Sequence, residues 1–137
     1  MSNSKIIESK ISEVKKYLLT VKKFQKYLQQ EIENDETIKG AVERYLYLVC
    51  QATIDLAEAF ISYRDLRKPT SQNDRFYILT ENEIIVAPLS ENMVKMTGFR
   101  NVLAHDYLKI DYKKVYDVLQ NGLGDIEEFI KIIESKI

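Results

Sequence analysis

The chain has 137 residues, of which 45% are hydrophobic and 30% charged, with a formal net charge of −1. That length suits one domain with a real core, and the near-zero charge gives no global attraction to nucleic acid. One cysteine excludes an internal disulfide and fits a reducing cytoplasm, while the absence of any apolar run near ~18 residues excludes a membrane-spanning helix.

The N-terminus is polar and alternates charge, so no signal peptide is expected. Four glycines and two prolines leave long uninterrupted stretches that favour helices. The first helix is predicted from about Ser4 to Glu33. Ile7, Ile11, Val14, Leu18, Val21, Leu28 and Ile32 repeat at spacings of four and three, with Gln25 as the polar intruder. Lys15, Lys16, Lys22, Lys23 and Lys26 lie off this seam and read as a solvated face in preference to a basic strip for RNA.

Asn34-Asp35-Glu36 offers a cap for a second helix over 36–63. That helix is apolar on two sides: Ala41, Tyr45, Leu48, Ala52 and Ala59 on one, Val42, Leu46, Val49, Leu56 and Phe60 on the other. Such a helix belongs at the centre of a bundle or between the bundle and a partner. Cys50 reads as a core filler. Asp55 falls among the apolar positions, where it either meets a partner such as Arg100 or sits at the surface.

Pro69 is expected to end this helix, and Ser71-x-x-Asp74 to cap a short one through about Leu79. The loop over 64–75 carries the densest basic charge of the chain, open either to a nucleic-acid or protein contact or to no role at all. Thr80-Glu-Asn-Glu makes a turn, and Pro88 suits the first turn of the next helix. Its core stripe is Leu89, Met93, Met96, Phe99 and Leu103. After Tyr107 the pattern stops, and Asp111 caps a last helix that Gly122 and Gly124 interrupt. The fold class predicted is all-α, an antiparallel four-helix bundle with an additional short helix, as one domain over 1–137.

Residues 98–110 concentrate the chemistry: Arg100, the single histidine His105, and Tyr107. Arginine offers a planar fork for an anion, histidine a proton carrier that titrates near neutrality, and tyrosine a donor, acceptor or nucleophile. At ~100° per residue Arg100 and Tyr107 align, whereas Arg100 and His105 diverge by about 140°. If the anion is an RNA phosphate, metal-free cleavage needs one group to activate the 2′-hydroxyl and another to protonate the leaving oxygen. With one imidazole per chain, a symmetric homodimer is the economical way to supply both. One histidine and one cysteine make a transition-metal site improbable.

Arg100-x4-His105-x-Tyr107 resembles the Arg-x4-His-x-Tyr signature of the HepT-like proteins, a branch of the HEPN superfamily. The likeness runs from Met96 through Tyr107 and on to Tyr116, and Ala41 to Ala57 looks like the family's long second helix. It implies a helical HEPN homodimer acting in the cytoplasm as the toxin of a type VII toxin–antitoxin pair. It further implies a metal-independent ribonuclease with no cofactor, and an MntA-type nucleotidyltransferase partner that silences it by adenylylating the motif tyrosine. Carried onto this chain, Arg100 binds phosphate, His105 is the acid/base, and Tyr107 is the modification site. Asn101 and Asp106 support them. The alternative is a non-catalytic helical adaptor that binds a nucleotide or the nucleotidyltransferase.

Overall fold

The computed structural model describes residues 3–137, apart from the side chains of Asn3 and Tyr107. Among the described residues seven α-helices run as α1 (Asn3–Lys22), α2 (Gln29–Glu33), α3 (Glu36–Tyr63), α4 (Gln72–Glu81), α5 (Ala87–His105), α6 (Tyr112–Asp117) and α7 (Leu123–Glu134). A 3₁₀ turn, Tyr107–Lys109, precedes α6, and a π turn, Val118–Gly122, joins α6 to α7. Among the described residues there is no strand, and no helix is long and apolar enough to cross a membrane.

The four long elements close on one another, with α3 against α1 and α5, and α7 against α1 and α5. Lys15 pairs with Glu134 at 2.9 Å and Lys22 with Glu127 at 3.0 Å, a register in which α1 and α7 run antiparallel. These pairs place the α1 lysines on a solvated face. Short α4 packs on α3 and α5, and Phe76 meets Phe129 edge-on at 5.8 Å in the core. On one apolar side of α3 Val42, Leu46, Val49, Leu56 and Phe60 are all buried, whereas on the other Ala52 is buried and Ala41, Tyr45, Leu48 and Ala59 are half-buried. Cys50 is buried among them, and burial pushes its thiol up to about 12 despite the opposing pull of Arg100. It is a core filler, held as the unreactive thiol.

Three local features differ from the sequence-based expectation. The first helix is not continuous to Glu33. It stops at Lys22, where the chain tightens into i→i+3 bonds from Lys23 to Thr20, Phe24 to Val21 and Gln25 to Lys22. Gln25 causes the break to be worthwhile: its amide donates to the Leu119 carbonyl at 2.9 Å, and Gln120 donates back to the Gln25 carbonyl at 2.8 Å. A π turn disturbs the regular i→i+4 ladder, and Gln25 meets an acceptor there. Leu28, expected in the core seam, is left 57% exposed at the N-terminus of α2.

Pro69 does not terminate α3. The helix ends at Tyr63 in a Schellman motif, with Leu66 N–H donating to Ile61 and Asp65 N–H to Ser62, and Asp65 at φ 53°. The same arrangement closes α4 around Glu83 at φ 59°, where Ile84 N–H reaches Leu79. Both positions normally favour glycine.

The basic loop spends most of its charge on the fold. Arg67 donates to Asp74 and Glu81, Arg75 to Glu58, and Arg64 to the Lys136 carbonyl. Arg67 beside Asp74 holds that carboxyl well below the usual carboxylate range. The expected caps are in place. Asp35 accepts from Thr37 and Ile38, Ser71 from Asp74, and Asp111 from Lys113, and Pro88 lies in the first turn of α5.

Candidate functional site

The site is built where the C-terminal half of α5 crosses α3. Leu89, Met93 and Phe99 face the core, and that anchoring turns Arg100 sideways onto α3. Its guanidinium is half-buried and held by three acceptors. Nε donates to Gln51 Oε1 at 2.7 Å, Nη1 to Asn101 Oδ1 at 2.9 Å, and Nη2 to the Tyr47 hydroxyl at 3.3 Å. The guanidinium carbon also lies 5.2 Å from the Tyr47 ring centroid, within cation–π range.

An arginine has five N–H donors. With three committed to these contacts, each terminal nitrogen retains one for an anion. The arrangement is therefore a fixed cation with its remaining donors at the end of the fork, the form that suits a phosphate.

Asp55 does not pair with Arg100 directly. Gln51 stands between them, its amide nitrogen donating to Asp55 Oδ1 at 2.9 Å while its oxygen accepts from Arg100. The acid thus orients the glutamine and reaches the cation through it.

His105 is the last residue of α5 and is exposed. It lines an open depression of about 410 Å³ together with Glu43, Arg44, Tyr47, Leu103 and Ala104. Tyr47 therefore joins the two halves of the site, touching Arg100 on one side and lining the histidine's depression on the other. Because α5 stays helical through His105, Arg100 and His105 keep divergent directions, and Tyr47 is the residue that touches one and shares the depression of the other.

Asp106 is exposed and caps α5 through its backbone, which donates to the Val102 carbonyl at 3.0 Å. Tyr107 opens the 3₁₀ turn; its side chain lies outside the described part of the structure. Behind the depression, the Tyr112 hydroxyl donates to the Glu43 carboxylate, and Lys39 lies 5.0 Å from the Tyr112 ring. Among the described residues no three His, Cys, Asp or Glu side chains gather as metal ligands.

Sequence reasoning placed Arg100, His105 and Asn101 in one neighbourhood but missed Arg44, Tyr47 and Gln51. Their signal was present: 44, 47, 51 and 55 follow the helical spacing of one α3 face.

Comparison with known proteins follows the same outline. The family model "Ribonuclease HepT-like" matches residues 7–133. The chain belongs to that family. This HepT-like chain is 34% identical over 125 residues to the mRNA nuclease HepT of Shewanella oneidensis, covering 87% of this chain and 94% of that one. It is 26% identical over 130 residues to the tRNA nuclease HepT of Aphanizomenon flos-aquae, covering 95% and 88%. A solved toxin–antitoxin complex with AMP-PNP superposes with a TM-score of 0.88 at 32% identity, covering 96% of this chain and 98% of that chain. The tri-AMPylated HEPN toxin of Shewanella oneidensis, in complex with its MNT antitoxin, gives 0.86 at 33% identity, covering 95% and 97%. The HepT-like chain is thus an all-α HEPN protein and an enzyme of ribonuclease class.

Gln51 follows as a positioning residue for Arg100. Gln51→Leu is expected to lower kcat on RNA by roughly 10-fold or more, in line with a lost hydrogen bond to a charged group, with KM and melting temperature nearly unchanged. Gln51→Glu, which sets a carboxylate directly on Arg100, should not restore the rate, because it neutralises the cation and takes up its donors. Steady-state kinetics beside thermal melts check this.

Proposed function

We propose that this HepT-like chain is the toxin of a toxin–antitoxin pair, cutting RNA without a metal at a site made by Arg100 and His105. The observation that carries the reading is the Arg100 fork, fixed by Gln51, Asn101 and Tyr47 with one donor left on each terminal nitrogen. Tyr47 connects that fork to the depression lined by His105. In the proposed reaction the ribose 2′-oxygen attacks the adjacent phosphorus as a base removes its proton. The 5′-oxygen leaves as an acid protonates it, giving a 2′,3′-cyclic phosphate and a free 5′-hydroxyl. Arg100 stabilises the added negative charge on the phosphoryl oxygens.

The chain carries one histidine, so base and acid come from two copies of His105 across a homodimer cleft. Such a dimer should appear by light scattering at micromolar concentration as a species of twice the 16.1 kDa chain mass. A stable monomer that cleaves RNA would rule out the shared cleft.

Incubation with RNA in EDTA should yield cleavage by the parent. His105→Ala and Arg100→Ala should each lose about 10²–10⁴-fold in rate while keeping the helical circular-dichroism spectrum. If RNA stays intact with the parent, the adaptor reading takes its place.

Tyr107 is the proposed switch, in a cytoplasmic protein paired with an MntA-type nucleotidyltransferase. The relative in complex with an MNT antitoxin is AMPylated, and Tyr107 follows His105 by two residues. Transfer of AMP from a nucleoside triphosphate would join the phenolic oxygen to the α-phosphorus and release pyrophosphate. The new phosphodiester would compete for Arg100, and the adenosine would fill the cleft. Tyr107→Phe should keep much of the toxicity yet escape neutralisation, with AMP additions on the parent alone by intact mass. Equal modification of Tyr107→Phe would shift the site to another tyrosine.

A further inference from the structure

The reading of the chain as a ribonuclease leaves one cation of the same depression without a task. Arg44 lies on α3, one turn before Tyr47, and is exposed. Its guanidinium carbon is 5.6 Å from the centroid of the Tyr47 ring, the ring that also carries Arg100 at 5.2 Å. One tyrosine therefore spaces two arginine forks, whose carbons are at most about 11 Å apart. Among the described ion pairs none includes Arg44. The acid that shares its depression, Glu43, has its carboxylate engaged by Tyr112.

We propose that Arg44 is a second phosphate-binding residue, holding the phosphate next to the scissile one on a single RNA strand. The inference rests on the ribonuclease reading and refines it to a substrate requirement. The depression of about 410 Å³ falls within the size range of small-ligand pockets, about 300–1,000 Å³, and takes one nucleotide. Arg100, beside the depression on the Tyr47 ring, grips the reacting phosphate, and Arg44, which lines the depression, grips its neighbour. The strand between them lies across Tyr47 and past His105. Single-stranded RNA longer than a dinucleotide is then the preferred substrate. Bulk charge would not reveal such a track, since the net charge is −1.

The test uses a fully 2′-O-methylated single-stranded RNA oligonucleotide, which lacks the attacking hydroxyl and so binds without being cut. Its affinity is read by fluorescence anisotropy across a salt series for the full-length parent, Arg44→Ala, Arg44→Lys and Lys131→Ala. Arg44 is exposed, so its variants should keep the parent's circular-dichroism spectrum. Arg44→Ala should bind roughly 10-fold more weakly at low salt, and the log–log salt slope should flatten by about 0.7, the value for one phosphate contact on a single strand. Arg44→Lys should retain the parent slope, and Lys131→Ala, a distant change of equal charge, should leave it unaltered. On a cleavable oligonucleotide, Arg44→Ala should raise KM and leave kcat close to the parent.

Unchanged affinity and slope in Arg44→Ala, with a parent that binds and cuts RNA, overturn the assignment and leave the ribonuclease reading standing. Equal flattening by Lys131→Ala overturns it in favour of diffuse charge. A fall in kcat alone reassigns Arg44 to holding Tyr47 in place. A parent that neither binds nor cuts RNA removes both readings together.

Discussion

A half-buried guanidinium has to be paired or the helices around it cannot close, and Arg100 imposes that condition on the contact between α5 and α3. Removing a charge from water costs several kcal/mol unless donors and countercharges are provided. Here α3 supplies Tyr47 and Gln51, while α5 supplies the neighbouring Asn101. Asp55 contributes its charge at one remove, through the Gln51 amide. A direct carboxylate pair would neutralise the arginine and spend two of its donors in one bidentate contact. The relay steadies the same cation while leaving its outer donors open, which suits a group that has to receive an anion.

The rest of the bundle serves this crossing. Leu89, Met93 and Phe99 fix the rotation of α5, and the packing of α1 on α3 keeps α3 in place. The chain ends α5 at His105 with a single capping bond and passes directly into a 3₁₀ turn. The acid/base candidate therefore sits on the last ordered turn of a rigid helix, and the motif tyrosine just beyond it. Local placement sets two arginines beside one tyrosine in a chain of nearly zero net charge.

Much of this was legible from residues whose signal is local. Asp35, Ser71 and Asp111 cap helices as side-chain acceptors must, and the Arg100–His105 spacing carried the family resemblance that the family model bears out. The misses have physical reasons. Gln25 interrupts an otherwise regular seam, and only its distant partner Leu119 shows why the helix breaks there. Asp65 and Glu83 occupy left-handed positions that usually advertise themselves with glycine, so the end of α3 is expected at the right place, residue 63, but credited to Pro69. Arg44, Tyr47 and Gln51 mix three side-chain types on a half-exposed face, where hydrophobic periodicity is silent. The basic loop over 64–75 stays open between a contact and no role, because only the fold shows that Arg67 meets Asp74 and Glu81 and that Arg75 meets Glu58.

The π turn at Val118–Gly122 has a bearing on how the chain tolerates changes in length. Val115, Leu119 and Leu123 are buried at two successive spacings of four. In a regular α-helix that spacing drifts by about 40° per step, and the wider π turn absorbs the drift. A π turn amounts to an α-helix holding one surplus residue. Losing a residue within it would leave the flanking helices in phase, whereas a loss inside α7 would swing Ile126, Ile130 and Ile133 about 100° away from the core. The segment is thus a slack point, where an indel can be accommodated without re-registering the bundle.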